Sequence, residues 1–311
     1  KRKNIILSAL KSQVFLLVIV IAILTVLASI MNPHFLTINN LKNILMQISI
    51  IAIMALGAGL VIISGGLDIS VGATVSLLAV VGANLIASGS SVPLAVLSTI
   101  GVAIACGLLN GILVAKTKVA PFIITLGTMS IFTGLSYIIS KGSTALIGGK
   151  FEFLGRGRIL GVHVPVYVMI VTYIIIFLIL RYTRFGRRIF GIGGAEEVAF
   201  LAGVNIPLYK IIIYIINALL VCLATIILIS RTGSAIATVG VGLELKAIAA
   251  AIIGGTILTG GKGSIFGIFL GSLLLGVIQN VINILNLYSH YQSVVIGMVV
   301  VIAVTIGQKR K

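Results

Sequence analysis

Asp68, Glu152, Glu196, Glu197 and Glu244 are the only carboxylates in 311 residues. General acid–base chemistry needs a carboxylate pair or a carboxylate that orients a histidine, and no acid pair here is spaced for hydrolysis. His34, His163 and His290 stand in separate connections, without the ligand spacing of a zinc site. Cys106 and Cys222 lie in apolar runs with no C-x-x-C partner, and such cysteines read as small buried hydrophobes. The run Gly255-Thr-Ile-Leu-Thr-Gly-Gly261-Lys262-Gly263 has the composition of a phosphate loop. Its spacing before Gly-Lys is wrong, and Gly263 stands where Ser or Thr would be required. Neither G-x-S-x-G nor H-E-x-x-H occurs. The chain is therefore expected to be no enzyme, with no cofactor and no metal.

What remains is the chemistry of isolated polar groups in apolar surroundings. Asp68 sits in Ser64-Gly-Gly-Leu-Asp-Ile-Ser-Val-Gly72, between two apolar stretches. A lone acid at bilayer depth costs about 2.5–3.5 kcal/mol on insertion scales, which marks a pathway or gate residue. The alternative is structural, because Asp or Ser at a helix start takes up orphan N–H groups. Capping is the favoured reading, with Asp68 holding an inner gate rather than touching cargo. Glu244 opens Glu244-Leu-Lys-Ala-Ile-Ala-Ala; near the outer end of its helix it reads as a first-turn anion or as a pathway residue. The amides Gln47, Asn84, Asn110, Asn217, Gln279 and Asn280 interrupt apolar runs. Each alone is more simply an interhelical hydrogen-bonding group. As a set they could line a weakly polar path for a neutral hydroxylated solute. With no tryptophan in the chain, a tight aromatic sugar site must lie on another protein.

One connection is far more basic than the rest. It runs from Arg181 through Arg184, Arg187 and Arg188 to Gly193-Gly194-Ala195-Glu196-Glu197 and on to Lys210. Gly193-Gly194 permits a sharp turn. Ala195 to Ala202 then reads as a short helix, with Glu196 and Glu197 in the first turn where the dipole favours anions, and Gly203 as its C-terminal cap. Val198, Leu201 and Ala202 share a face at helical spacing. The basic residues alone would fit a solvated, topogenic loop; the glycine-bounded Ala-Glu-Glu helix points to docking in a partner's groove.

These groups must be positioned by membrane helices. With 59% hydrophobic and 9% charged residues the chain is no ordinary soluble domain. In lipid, runs of about 20 apolar residues are helices, and runs such as 14–31 and 166–180 lack the alternation of barrel strands. Ten spans are expected: 14–31, 44–64, 70–88, 93–115, 121–140, 164–181, 208–230, 246–259, 264–283 and 292–307. Lys1-Arg2-Lys3 ahead of the first run, with no A-x-A site after it, predicts an uncleaved first helix. Placing both termini in the cytoplasm puts Lys1, Arg2, Lys3, Lys11, Lys116, Lys118, Arg181, Arg184, Arg187, Arg188, Lys210, Lys262, Lys309, Arg310 and Lys311 inside. Lys42, Lys141, Lys150, Arg156, Arg158, Arg231 and Lys246 then lie outside, a split of fifteen to seven with the sign of the positive-inside rule. The net charge of +17 thus needs no nucleic-acid partner. No Pro-rich or Ser-rich linker divides the chain, so residues 1–311 are expected to form a single integral transmembrane domain.

Two internal patterns concern packing. Gly59-Leu-Val-Ile-Ile-Ser-Gly65-Gly66 and Gly254-Gly-Thr-Ile-Leu-Thr-Gly260-Gly261 share spacing, with Gly72 and Gly267 at matching offsets. Duplication and the common need of tight turns for glycine explain this equally well. Gly263, Gly267 and Gly271, and Gly107 with Gly111, recur every four residues, a spacing that lets helices approach closely.

Several of these runs together resemble the permease subunits of bacterial ABC importers for ribose and related monosaccharides. The carriers are Ser64–Gly72, Gly107-Leu-Leu-Asn-Gly-Ile-Leu-Val-Ala-Lys116, Pro121-Phe-Ile-Ile-Thr-Leu-Gly127 and Thr183-Arg-Phe-Gly-Arg187. Gly193-Gly194 through Gly203-Val-Asn205, Glu244–Ala250 and Gly254–Gly263 complete the set, which spans most of the chain from Asn39 onward. The resemblance implies an all-α multi-pass protein of the bacterial cytoplasmic membrane, acting as one of two permease copies in a homo- or heterodimer. It implies a cytoplasmic ATPase with tandem nucleotide-binding units and an extracytoplasmic solute-binding protein that delivers cargo. Gly194–Gly203 would be the coupling helix seated in the ATPase. Ala195 departs from the Asn that such proteins often carry, and His290 interrupts a more usual tyrosine pair, which bears on the capping of the coupling helix and on the last helix. Cargo other than ribose (another sugar, autoinducer-2 or a nucleoside) stays open. A solitary channel or secondary transporter would need intramembrane ionisable groups that this chain almost lacks.

Overall fold

A computed structural model describes residues 13–286, with 291, 294, 295, 297, 298 and 301 beyond them. The terminal basic residues, His290 and most of the expected 292–307 helix lie outside the described residues.

Nine of the ten expected spans have a helix at their place. These are α1 (Gln13–Met31), α2 (Ile38–Ile63), α3 (Val71–Ala87), α4 (Val92–Lys116) and α5 (Pro121–Ser140). After them come α7 (Val164–Tyr182), α10 (Ile206–Thr232), α11 (Leu243–Ile253) and α12 (Ile265–Ile284). Three shorter helices lie in the connections: α6 (Phe153–Arg156), α8 (Arg184–Gly194) and α9 (Glu196–Leu201). Seven of the helices are long and apolar enough to cross a membrane: α1, α2, α4, α5, α7, α10 and α12. Helix α2 is the central post. It is buried without a break from Ile48 to Ile63, as a helix apolar on all sides must be, and α10, α11, α12 and α7 pack round it. Helices α1 and α5 keep most of their apolar side chains on the outer surface, where lipid is an equivalent solvent for them.

The main departure from expectation is at 246–259. Helix α11 has eleven residues, about 17 Å at 1.5 Å per residue, and falls well short of a hydrocarbon core of about 30 Å. It stops because Gly255 turns at φ +95°. Gln13 Nε2 donates to the freed carbonyls of Ile252 (3.4 Å) and Ile253 (3.2 Å). Residues 236–242 cover the missing depth without helix. Their backbone lies against α3, Gly240 N donating to Ser76 Oγ at 3.0 Å. Irregular backbone at membrane depth is stable only when buried in protein in this way.

The two ends of the bundle differ. At one end the glycine-rich 141–163 connection folds onto the helices. Strand β1 (Ala145–Leu146) pairs antiparallel with β4 (Ser234–Ala235), and β2 (Arg158–Ile159) with β3 (Val162–His163). Leu160 and Gly161, both at positive φ, make the two-residue turn that suits such a hairpin. At the other end the two glycine echoes meet, Gly261 N donating to Ile63 O at 2.9 Å. Gly65 and Gly260 occupy matching positions and turn at φ +83° and +84°, so the echo in the sequence is also an echo in geometry.

His163, in β3, is buried, and its Nε2 accepts from Arg158 Nε at 3.2 Å. Burial and the charges of Arg158, Arg231 and Lys42 hold its pKa below the ordinary histidine value. A folded-state pKa below the unfolded one means that the unfolded chain binds the proton first, so stability is lost as pH falls through about 6.5. The thermal unfolding midpoint is expected to drop between about pH 7 and pH 5. His163→Gln should flatten that limb, and an equal slope in the variant would refute the assignment.

Candidate functional site

The connection singled out by its charge is a folded module. Thr183 starts α8, its hydroxyl accepting from Gly186 N at 3.4 Å. Ile189 and Ile192 are buried while Arg184, Arg187 and Arg188 face out. The sharp turn expected at Gly193-Gly194 falls one residue later, because both glycines finish α8 and Ala195 is extended at φ −159°, ψ 96°. The glycines are needed for close approach instead. A methyl group on Gly193 would land on the Ile63 carbonyl oxygen and lie 2.6 Å from Gly261 N. Helix α9 follows with no side-chain cap at Ala195, and Gly203 closes it at φ +76°.

Six residues are too few to hold a helix in water, so α9 depends on its tethers. Glu196 takes a two-pronged contact from Lys210 Nζ, at 2.7 and 2.9 Å. Ala199 is buried against Ile192 and Ile206. Arg188 Nη1 donates to Tyr209 OH at 2.7 Å, and Tyr209 stacks on Phe185 with ring centroids 5.6 Å apart. Against this support Val198, Phe200 and Leu201 stand 64%, 69% and 84% exposed. Phe200 was missed in the sequence because it falls off the Val198–Leu201–Ala202 face; at a helix of under two turns three neighbouring side chains clear the support together.

A second group gathers about 9 Å into the bundle, six residues up α2 from the junction. Asp68 Oδ1 accepts from Ser70 N (2.9 Å) and Ser70 Oγ (2.6 Å), and Oδ2 from Asn217 Nδ2 (2.9 Å). Ser70 Oγ accepts from Asn110 Nδ2 at 2.8 Å. Asp68 therefore holds Ser70, the residue before α3, which makes no side-chain cap hydrogen bond of its own, and ties it to α4 and α10. Tyr214 OH donates to Leu67 O at 3.1 Å just below. Asp68, Thr74, Cys106, Asn110 and Asn217 line a small pocket. Tyr214 carries no sequence signal beyond lying in an apolar run.

Glu244 is buried in the first turn of α11, its Oε1 accepting from Gly242 N at 3.1 Å. The first-turn role matches expectation, but the depth does not. A methyl on Gly72 would strike the Glu244 carboxylate, which places it beside the first turn of α3 rather than near the outer end. The irregular 236–242 segment accounts for the shift, carrying the chain inward before the helix begins.

The other amides do not join this group. Asn84 Nδ2 donates to Ile139 O at 3.1 Å, linking α3 to α5. Asn280 and Asn40 exchange reciprocal amide bonds of 2.8 and 2.9 Å, a structural pairing of α2 with α12. Gln47 Oε1 is buried with no hydrogen-bond partner among the described residues. Asn280→Leu leaves the half-buried Asn40 with only its bond to Phe35 O and is expected to cost about 1 kcal/mol. Asn40→Leu combined with Asn280→Leu should cost less than the sum of the two single changes when unfolding is followed in detergent. Strict additivity would mean that the two amides act independently.

The chain matches the family model described as branched-chain amino acid transport system / permease component over residues 40–304. It is 41% identical over 291 residues to the ribose import permease protein RbsC of Bacillus subtilis (strain 168), covering 93% of this chain and 90% of the relative. It is 40% identical over 298 residues to the RbsC of Escherichia coli (strain K12), covering 94% and 93%. With the D-allose transport system permease protein AlsC of Escherichia coli (strain K12) it shares 36% over 297 residues, covering 94% and 90%. No solved structure matches it.

Proposed function

The chain belongs to the branched-chain amino acid transport system / permease component family, and from that premise we propose that it forms the translocation pathway of an ATP-binding-cassette importer for ribose or a related monosaccharide. The observation that carries this reading is end-to-end similarity to sugar permeases, with RbsC covered over nine-tenths of its length or more. The protein is a transport subunit of the inner membrane and not an enzyme. In this reading residues 1–311 are one transmembrane domain with about ten crossings and both termini cytoplasmic. Two copies, or one copy with a paralogue, enclose the pathway, embedded in membrane lipid.

The partners follow from the two ends. An ATPase with tandem nucleotide-binding units receives α9 at the junction end, contacting Gly194, Ala195, Glu196, Glu197, Val198, Leu201 and Gly203. A solute-binding protein docks at the end bearing β1–β4. ATP-driven closure of the ATPase draws the two coupling helices together and shifts the pair between outward- and inward-facing states. Asp68, Asn110 and Glu244 are the pathway or gate residues this reading favours; Gln47, Asn84 and Asn280 stay as weaker members of that set. The polar groups there are amides and hydroxyls with few charges, which suits a neutral hydroxylated cargo.

Uptake of labelled ribose into proteoliposomes containing the chain, its co-encoded ATPase and its co-encoded binding protein tests this. Accumulation should require ATP and all three components, with competition by unlabelled ribose. Competition by D-allose or L-arabinose alone would keep the permease and change the sugar. Uptake by the chain without ATPase would instead establish a solitary transporter.

A further inference from the structure

The Asp68 group fails two accounts at once when its carboxyl is written as an anion. The first is charge. Among the described residues the ion pairs are Glu152 with Arg156 and Glu196 with Lys210, both away from Asp68 at the short helices of the connections, and no cation faces Asp68. The titratable groups that do face it are the Cys106 thiol of α4 and the Tyr214 phenol of α10, both uncharged at neutral pH. Glu244, reached across Gly72, could add only a like charge. An isolated carboxylate out of water costs far more than any neutral group and takes up a proton instead.

The second account is hydrogen bonding. Asn110 and Asn217 are 2% and 1% exposed, and the side-chain oxygen of each has no donor. Both residues line the pocket round Asp68. The site thus holds spare acceptors beside a group that, as an anion, could only accept as well. An amide's oxygen and nitrogen fill the same outline, so either can face a neighbouring oxygen. The pocket is small, and among the described residues no other group supplies the missing donor or the missing positive charge.

We propose that this cluster is a proton-binding site, with the proton on Asp68 Oδ2 and donated to a flanking amide oxygen. Oδ2 is the carboxyl oxygen with a single partner, at 2.9 Å from the Asn217 amide, whereas Oδ1 already accepts twice from Ser70. One proton cancels the charge, and with the Asn217 amide turned over its oxygen accepts that proton in place of the Nδ2–H···Oδ2 contact. The Asp68 cluster then carries no net charge in this conformation, while Ser70 and the amides still bind α3, α4 and α10 together. The proposal stands whatever sugar is carried.

Infrared spectroscopy of the full-length purified chain at neutral pH tests it, because so few carboxyls compete. Glu152, Glu196 and Glu197 are exposed, so a buried protonated-carboxyl carbonyl band, shifted by exchange into heavy water, points to Asp68 or Glu244, the two buried acidic side chains. The band should be present in the unsubstituted chain, persist in Glu244→Gln and vanish in Asp68→Asn. If Asp68→Asn does not fold, persistence in Glu244→Gln alone carries the assignment by elimination. Absence of any such band, or its loss in Glu244→Gln with retention in Asp68→Asn, overturns the proposal.

Discussion

Leu201→Glu is expected to abolish ATPase stimulation while leaving the chain folded and inserted. Leu201 is 84% exposed, so the change should alter stability by no more than about 0.5 kcal/mol, as surface substitutions usually do. In a groove of the ATPase the same side chain would be a buried apolar anchor, and a carboxylate there meets no partner. Losing such an anchor typically costs about 2–4 kcal/mol, which weakens association by roughly 30- to 1,000-fold. Glu196→Arg and Gly203→Val should also abolish stimulation by different routes. The first replaces the contact with Lys210 by repulsion. The second forces a β-branched residue to φ +76°, where only glycine is comfortable. ATPase assays and co-purification of the complex check all three. Normal stimulation in Leu201→Glu would show that α9 is a solvated loop after all.

The junction beneath α9 yields the second large effect. In Gly193→Ala the added carbon would land on the Ile63 carbonyl oxygen, with Gly261 N 2.6 Å away. Both neighbours are backbone, and they are already bonded to each other at 2.9 Å. No side chain can swing aside, so the three segments must separate. Overpacking of this kind costs about 1–3 kcal/mol or more, expected as a clear fall in the unfolding midpoint. Gly191→Ala, two residues away in the same helix, meets nothing within 4 Å. It should be neutral or stabilising by about 0.5–1 kcal/mol, since alanine is the better helix former. A similar loss in both variants would mean that the helix, not the junction, is sensitive. Because α8 leads directly into α9, a loosened junction should also reduce stimulated ATPase more than it reduces insertion.

The parts of this architecture legible in the sequence are those set by local chemistry. Apolar length alone located α2, α4, α5, α7 and α10. Glycines flanking an Ala-Glu-Glu run located α9. What stayed hidden depends on distant partners. Asp68 meets Asn217 across 149 residues and, through Ser70, Asn110 across 40. Asn280 meets Asn40 across 240, and which residue an interhelical amide pairs with is not written in the local sequence. Helix α11 looked like a full span because Ala and Ile continue to Gly254. Its depth is set by the irregular 236–242 segment, whose hydrogen bond to Ser76 no periodicity reveals. Gly193 looked like a turn residue; its role is visible only when the Ile63 carbonyl beside it is known.

The central claim is that this chain couples a cytoplasmic ATPase to delivery of a sugar from outside. Its most direct test is the ATPase activity of the reconstituted chain with its co-encoded ATPase, measured with the co-encoded binding protein and with ribose present or absent. The account predicts low activity alone and stimulation by the binding protein that is greater with ribose. Stimulation indifferent to ribose would keep the importer and reassign its cargo. Failure to form any complex with an ATPase would contradict the account outright.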